Sequence, residues 1–243
     1  MGDCMAHRGW SGKAPENTVA AFQLVWDSPE IVSFELDVQL SKDGIPVVIH
    51  DFTLERTTNG SGWVKDYTFE ELQQLDAGKW FDESFANERI PSLDQILKLN
   101  PAGCKINIEL KTAGNMYKGL AEKVVGLVKG YGMERDVYIT SFDHEVIREV
   151  NTLDSSLETG LILIGKPTLL KEQLEETGAI ILSMSYPYLT KVFVDEMYAK
   201  GYKVIAWTVD EKNAIKEMMK WHPELTICTN HPDLMIQEIS HHI

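Results

Sequence analysis

The sequence has little cysteine, no long apolar run and no basic excess. Its cysteines are Cys4, Cys104 and Cys228. A sparse, odd set is not a disulfide framework, and without a C-x-x-C pair it does not suggest zinc. All three fall in or beside expected strands, which predicts buried free thiols. No stretch reaches the roughly 18 apolar residues of a membrane span. Met1–Ala6 has neither a basic run nor a long apolar segment, so no secretion leader is expected and a reducing cytoplasm is. Lysine and arginine total 23 against 37 acidic residues, a net charge of −14. That excess argues against nucleic acid and against stable association with an anionic membrane. G-x-S-x-G, H-E-x-x-H and the Walker and dinucleotide glycine motifs are all missing, which sets aside several familiar chemistries.

What is present is a beat. The 243 residues suit one α/β barrel with a single large core. Short β-rich runs alternate with helical patterns, the mark of βα units. The runs are 5–8, 32–40, 105–111, 137–141, 159–164, 180–184, 203–209 and 226–229. Helical patterns cover 18–26, 92–99, 117–130, 144–151, 168–177, 190–200, 211–221 and 233–239. Eight of each make a (β/α)8 TIM barrel, one domain over 1–243.

One run breaks the beat. Pro46–Ile49 follows the second strand across Asp43-Gly44, too soon for a parallel crossover, so it folds back as a β-hairpin. A two-residue loop would pair Lys42 with Ile45 and Asp37 with His50, carrying the histidine to the carboxylates. Residues 51–91 then form a long excursion rich in Thr, Gly and aromatics. They read as a small insertion or lid at the barrel mouth.

Polar clusters sit inside or just after the apolar runs: His7-Arg8, Glu35-x-Asp37, His50-Asp51 and Glu109-x-Lys111. Charge there needs a partner or a metal. Period two puts Glu35 and Asp37 on one face, with Phe34, Leu36 and Val38 on the other. Asn107, Glu109 and Lys111 repeat the pattern. Three converging carboxylates repel, and a divalent cation relieves them. All-oxygen ligands favour Mg²⁺ or Ca²⁺. The same residues would also suit internal ion pairs, with Lys111 and Arg8 as counter-ions and Glu16 as a partner for Arg8. His7 and His50 are the candidate acid and base. Arg8 offers a fork for phosphate oxygens and Lys111 a point charge. Proton abstraction beside a carboxylate, with Lys111 as base, is a rival chemistry, and a non-catalytic phosphate-binding module is another. Asn17 or Thr18 should cap the first helix. The stretch from His231 to His242 reads as a solvated tail.

These clusters resemble a known family. Ala6-His7-Arg8-Gly9, Ala14-Pro15-Glu16-Asn17-Thr18, Glu35-Leu36-Asp37-Val38 and the stretch from Lys42 to Asp51 are similar, in order and spacing, to the glycerophosphodiester phosphodiesterases. The likeness continues through Arg56-Thr57-Thr58-Asn59-Gly60, Ile90-Pro91-Ser92-Leu93, Glu109-Leu110-Lys111, Ser141-Phe142-Asp143 and Trp207-Thr208-Val209. It implies a barrel with an insertion after its second strand. It implies one divalent cation on Glu35, Asp37 and Glu109, acid–base catalysis by His7 and His50, phosphate binding by Arg8 and Lys111, and Trp207 beside the substrate. The substrate would be a small glycerophosphodiester, hydrolysed to glycerol 3-phosphate and an alcohol. The attacking oxygen would be the substrate's own glycerol hydroxyl or water. One departure is Asn230, where many relatives carry aspartate. The preferred alcohol, the choice between Mg²⁺ and Ca²⁺ and the oligomeric state are left open.

Overall fold

Eight parallel strands close on themselves in the computed structural model, which describes residues 3–114 and 116–240. β1 (Asp3–Ala6) pairs on one side with β2 (Ser33–Leu40) and on the other with β9 (Thr226–Thr229), which shuts the ring. Between them run β4 (Lys105–Leu110), β5 (Val137–Ser141), β6 (Glu158–Leu163), β7 (Ile181–Ser185) and β8 (Lys203–Trp207), each parallel to its neighbour. The expected TIM barrel is the fold observed.

The helices outside are α1 (Val19–Trp26), α3 (Leu93–Leu99), α4 (Leu120–Tyr131), α5 (His144–Leu153), α6 (Leu170–Thr177), α7 (Lys191–Ala199), α8 (Lys212–Met218) and α9 (Pro232–Ser240). Sequence chemistry sets their ends. Thr18, Ser92 and Thr190 accept the N3 amides of α1, α3 and α7 through their hydroxyls. Gly132 and Gly178 close α4 and α6 at φ 67° and 71°, where a side chain would be strained. α4 buries Leu120, Ala121, Val124, Val125 and Val128, the 3.6-residue stripe that faces the sheet. Phe34, Leu36 and Val38 of β2 join this outer core. Inside the barrel a smaller layer of Met5, Ile181, Ile205 and Cys228 packs with Tyr138 and Trp207. Alternation along each strand separates the two cores.

β3 (Pro46–Val48) runs antiparallel on β2, as the Asp43-Gly44 signal requires, but the register differs from the expectation. Val38 pairs with Val48 and Leu40 with Pro46. Asp37 therefore faces Ile49, whose amide donates to the Asp37 carbonyl at 2.9 Å, and not His50. The reason is loop length. Ser41 N–H bonds Ile45 O, leaving Lys42, Asp43 and Gly44 as a three-residue loop, with Gly44 at φ 76°. The histidine still reaches the site by another route. The buried Gln39 amide donates to the carbonyls of Ile49, His50 and Asp51 at 2.8–3.0 Å and pins the chain where it leaves the strand.

Residues 51–91 contain one short helix, α2 (Phe69–Leu72), and two 3-10 turns. A small apolar cluster of Val47, Ile49, Leu54, Val64, Leu72, Ala77 and Ile90 supports them. The helix expected over 233–239 is present as α9, but the expected solvation of that tail is another correction. α9 inserts Met235 and Glu238 into the fold, both nearly inaccessible to water. Its apolar spacing, Leu234, Met235, Ile236 and Ile239, outweighs the polar residues around it. His241 and His242 lie outside the described residues.

Candidate active site

The first strand's end supplies two groups through an unusual backbone. Arg8 has φ 56° and Gly9 φ 76°. A β-carbon at Gly9 would lie 2.8 Å from Ala21, so only glycine lets α1 approach. The left-handed turn at Arg8 aims its amide at Glu35 Oε2, 2.9 Å away, and its Nε at Asp37 Oδ2, 3.3 Å away. Such conformations persist where surrounding contacts hold them, often at functional sites.

Register brings the acids together. Asp37 on β2 sits directly beside Glu109 on β4, and Glu35 beside Asn107. One carboxylate oxygen from each of Glu35, Asp37 and Glu109 lies within 4.8 Å of the other two. All three are buried. Lys111 Nζ reaches Glu109 Oε1 at 2.7 Å and Asp37 Oδ1 at 3.4 Å. Arg8 Nη1 bonds Glu16 Oε1 at 2.8 Å, as the ion-pair reading expected.

Two cations do not satisfy three acids. Glu35 Oε1 and Asp37 Oδ1 are buried without a hydrogen bond. Burial, and then the charges of Asp37 and Glu109, push the Glu35 carboxyl well above its ordinary range. Burial and Asp37 raise Glu109 to about 7 against the pull of Lys111. Asp37 goes the other way: burial opposes its charge, but Lys111, Arg8 and His50 together hold it low. Orphaned oxygens on an all-oxygen, buried donor set fit a hard divalent cation. Lys111 is raised in turn, because Asp37 and Glu109 outweigh its burial, so it is a fixed cation and a poor base. That disfavours the proton-abstraction rival.

The two imidazoles flank this cluster with different supports. His7 Nδ1 is 2.8 Å from Asn230 Oδ1. Asn230 Nδ2 donates to Asp210 Oδ2, and Ser11 Oγ donates to Asn230 Oδ1. The amide oxygen is therefore an acceptor, which assigns the His7 proton to Nδ1 and frees Nε2, 3.9 Å from Glu35 Oε2. Burial and then Arg8 lower His7 to about 4. His50 Nδ1 instead meets a carboxylate, Asp51 Oδ1, at 2.6 Å. Burial lowers His50 too, with Lys111 and Arg8, while Asp37 and Asp51 pull it back up.

His7, Arg8, Glu35, His50, Glu109, Lys111 and Trp207 all border one cavity of about 150 Å³. Asp37 lies beneath it, ion-paired with Lys111 and Arg8 and hydrogen-bonded to Asn17. Every residue singled out for chemistry is thus in one place at the C-terminal rim of the strands. Trp207 stands edge-on to Phe142 at 5.7 Å, its buried Nε1 without a partner.

Other participants escaped sequence reasoning. Asn17, expected only as a cap, donates to Asp37 Oδ2 and accepts from the Asp37 amide. Thr18 does the capping. Arg56 forks onto Asp51 and Glu16. Asp210 steadies Asn230. The position of Asn17 beside Glu16 in a motif was a signal; the pairings across many residues were not.

The profile of the glycerophosphoryl diester phosphodiesterase family matches residues 7–234. This chain belongs to that family. It is 39% identical over 236 residues to a glycerophosphodiester phosphodiesterase of Caldanaerobacter subterraneus subsp. tengcongensis, covering 96% of this chain and 95% of that protein. It is 34% identical to one from Bacillus altitudinis, covering 98% of each. Among solved structures, an Oleispira antarctica phosphodiesterase in complex with the product sn-glycerol-3-phosphate superposes with a TM-score of 0.91 at 30% identity, covering 98% of this chain and 96% of that one. The chain is thus a phosphodiesterase-family enzyme by relationship as well as by fold. Among the described residues no helix is long and apolar enough to cross a membrane.

Proposed function

We propose that this chain hydrolyses small glycerophosphodiesters to sn-glycerol 3-phosphate and an alcohol, in a divalent-metal-dependent reaction with His7 and His50 as acid–base pair. The observation that carries this reading is the juxtaposition of three buried carboxylates, two of them with an oxygen that no hydrogen bond reaches, with two imidazoles and two cations at one cavity. The Oleispira relative's product complex supports the substrate class.

Glu35, Asp37 and Glu109 would hold the cation, Mg²⁺ or Ca²⁺. When bound, it supplies positive charge beside the phosphoryl oxygens and acidifies a neighbouring hydroxyl. Arg8 and Lys111 add to the positive field and orient the phosphate. Both remain charged, since nearby carboxylates raise their pKa values against burial. His7 is the proton acceptor: neutral, with Nε2 open because Asn230 holds Nδ1–H. It would take the proton of the attacking oxygen: either water, or the substrate's glycerol hydroxyl, whose attack expels the alcohol and leaves a cyclic phosphate that a water then opens to glycerol 3-phosphate. His50 is the donor. Asp51 stabilises its imidazolium, and the phosphate of a bound diester would add to that effect. The proton passes from His50 to the departing alcohol oxygen. Trp207 forms one wall beside the glycerol arm.

We take residues 51–91 as an insertion covering the mouth of a single barrel domain over 1–243. Three buried free thiols fit a reducing cytoplasm as its location.

The test couples glycerol 3-phosphate release to a dehydrogenase signal, with chelator and with Mg²⁺ or Ca²⁺ restored. Chelation should abolish turnover and one of the ions restore it. His7→Ala and His50→Ala should each lose on the order of 10²–10⁴-fold in kcat. Near-normal rates in both variants would remove the acid–base assignment. Turnover indifferent to chelation would remove the metal.

A further inference from the structure

Phe142 stands between two compartments. The inner one, about 150 Å³, is walled by the barrel's own Ile162, Ser183, Ile205 and Trp207. The outer one, about 580 Å³, opens toward the insertion between Phe52, Trp63, Thr112 and Ala113. His50, Glu109, Lys111 and Phe142 border both. A phosphodiester has two arms. With its phosphate at the shared residues, one arm falls on each side.

The histidines say which. His7 borders the inner compartment alone, whereas His50 borders both. On the function proposed above, the acceptor works beside the attacking oxygen and the donor beside the leaving one. The glycerol arm then lies inside, and the departing alcohol lies outside.

The outer walls have a definite chemistry. Phe52 and Trp63 stack with centroids 6.4 Å apart. Trp63 and Phe142 are 43% and 44% exposed, so each leaves a large apolar surface open to the cleft. Among the described residues that border this cleft, an ammonium would find no free carboxylate. Asp51 is held by His50 and Arg56, and Glu109 belongs to the acidic cluster. Lys65 Nζ, paired with Asp66 Oδ1 at 3.1 Å, lies over the Trp63 ring 5.7 Å from its centroid and occupies the face that an ammonium would use. One polar handle is present: Thr112 Oγ1 is buried without a partner.

We propose that the outer cleft is the leaving-alcohol subsite and that it selects uncharged alcohols with a bulky apolar body over glycerol or choline.

The experiment compares the esters of sn-glycerol 3-phosphate with 2-phenylethanol, choline and glycerol, following glycerol 3-phosphate release with Mg²⁺ or Ca²⁺ present. The wild-type enzyme should show its highest kcat/KM on the phenylethyl ester. Trp63→Ala should lower that value about tenfold or more while changing the glycerol ester less than about twofold. Retained turnover of the glycerol ester reports an intact fold. Trp80→Ala, on the same insertion but outside both compartments, should change neither. If the wild-type enzyme prefers the choline or glycerol ester, the inference is overturned whatever the variant does. Equal losses on all three esters in Trp63→Ala would overturn it too, leaving the hydrolytic reading intact. No release from any ester would instead defeat that underlying reading.

Discussion

Arg56 offers a demanding test of how the site is held. Its guanidinium makes four hydrogen bonds: Nε and Nη2 to the two oxygens of Asp51 at 2.7 and 2.9 Å, and Nη1 and Nη2 to those of Glu16 at 2.8 and 2.7 Å. Asp51 in turn holds His50, and Glu16 holds Arg8. One side chain from the insertion therefore braces two groups that face the phosphate from different parts of the chain. Replacing it with alanine leaves Asp51 and Glu16 with one partner each. Charge-assisted bonds are worth about 1.5–3 kcal/mol each when buried. Arg56 is 43% exposed, so screening reduces the whole fork to roughly 1–2 kcal/mol of stability. Looser placement of His50 and Arg8 should cost catalysis more, about 10- to 100-fold in kcat/KM. Arg56→Lys should recover little, since an ammonium cannot fork onto two carboxylates. The assay is glycerol 3-phosphate release beside a thermal melt of each variant. The pH dependence has a fixed sign. Arg56 and His50 hold the Asp51 carboxyl below its ordinary range against burial, so its contribution is present above about pH 4 and is lost as pH falls. The melting difference between wild type and Arg56→Ala should shrink below that pH. Full activity in Arg56→Ala, or a melting difference that grows in acid, would mean that Arg56 does not brace His50 and Arg8.

Other outcomes follow from the same geometry. Without a divalent ion, Glu109, held at about 7, contributes stability that is complete below its unfolded value near 4.5 and disappears as pH rises through 7. The depressed His7 works in the opposite direction but is spent by about pH 6.5. The metal-free melting temperature should therefore drop between about pH 6.5 and 8, and added Mg²⁺ or Ca²⁺ should remove the drop; a rise would contradict it. Asn17→Ala removes both contacts to Asp37 and should weaken divalent-ion affinity about 10- to 100-fold, measured by calorimetry, with unchanged affinity as the opposing result. Gly9→Ala forces a side chain to φ 76° and against Ala21 at 2.8 Å, so it should lose about 1–3 kcal/mol in denaturant unfolding. A variant as stable as wild type would mean that α1 can move aside.

Much of the site could be read from order alone because strand alternation is local. Glu35 and Asp37, two residues apart, must share a face, and so must Glu109 and Lys111. The βα beat then carries these faces to one rim, since parallel strands joined by helices all point the same way. Other features were not local. The hairpin register turned on whether the loop held two residues or three, and a single hydrogen bond from Ser41 decided it. α9 reads as a helix in a solvated tail until Met235 finds its place in the core.

The barrel beat, the shared face of Glu35 with Asp37 and that of Glu109 with Lys111 were legible in the sequence alone, because each depends on the spacing of neighbours along the chain, whereas His50 arrives through the Gln39 contacts. Only the tertiary structure decided which groups support the site residues: Asn230 behind His7, Asp51 and Arg56 behind His50, Asn17 beneath Asp37. These partners come from positions up to 223 residues apart. Their pairing depends on where closed strands and loops place side chains in space, which no local pattern records. The same holds for the two compartments on either side of Phe142, whose walls come from barrel strands and insertion together.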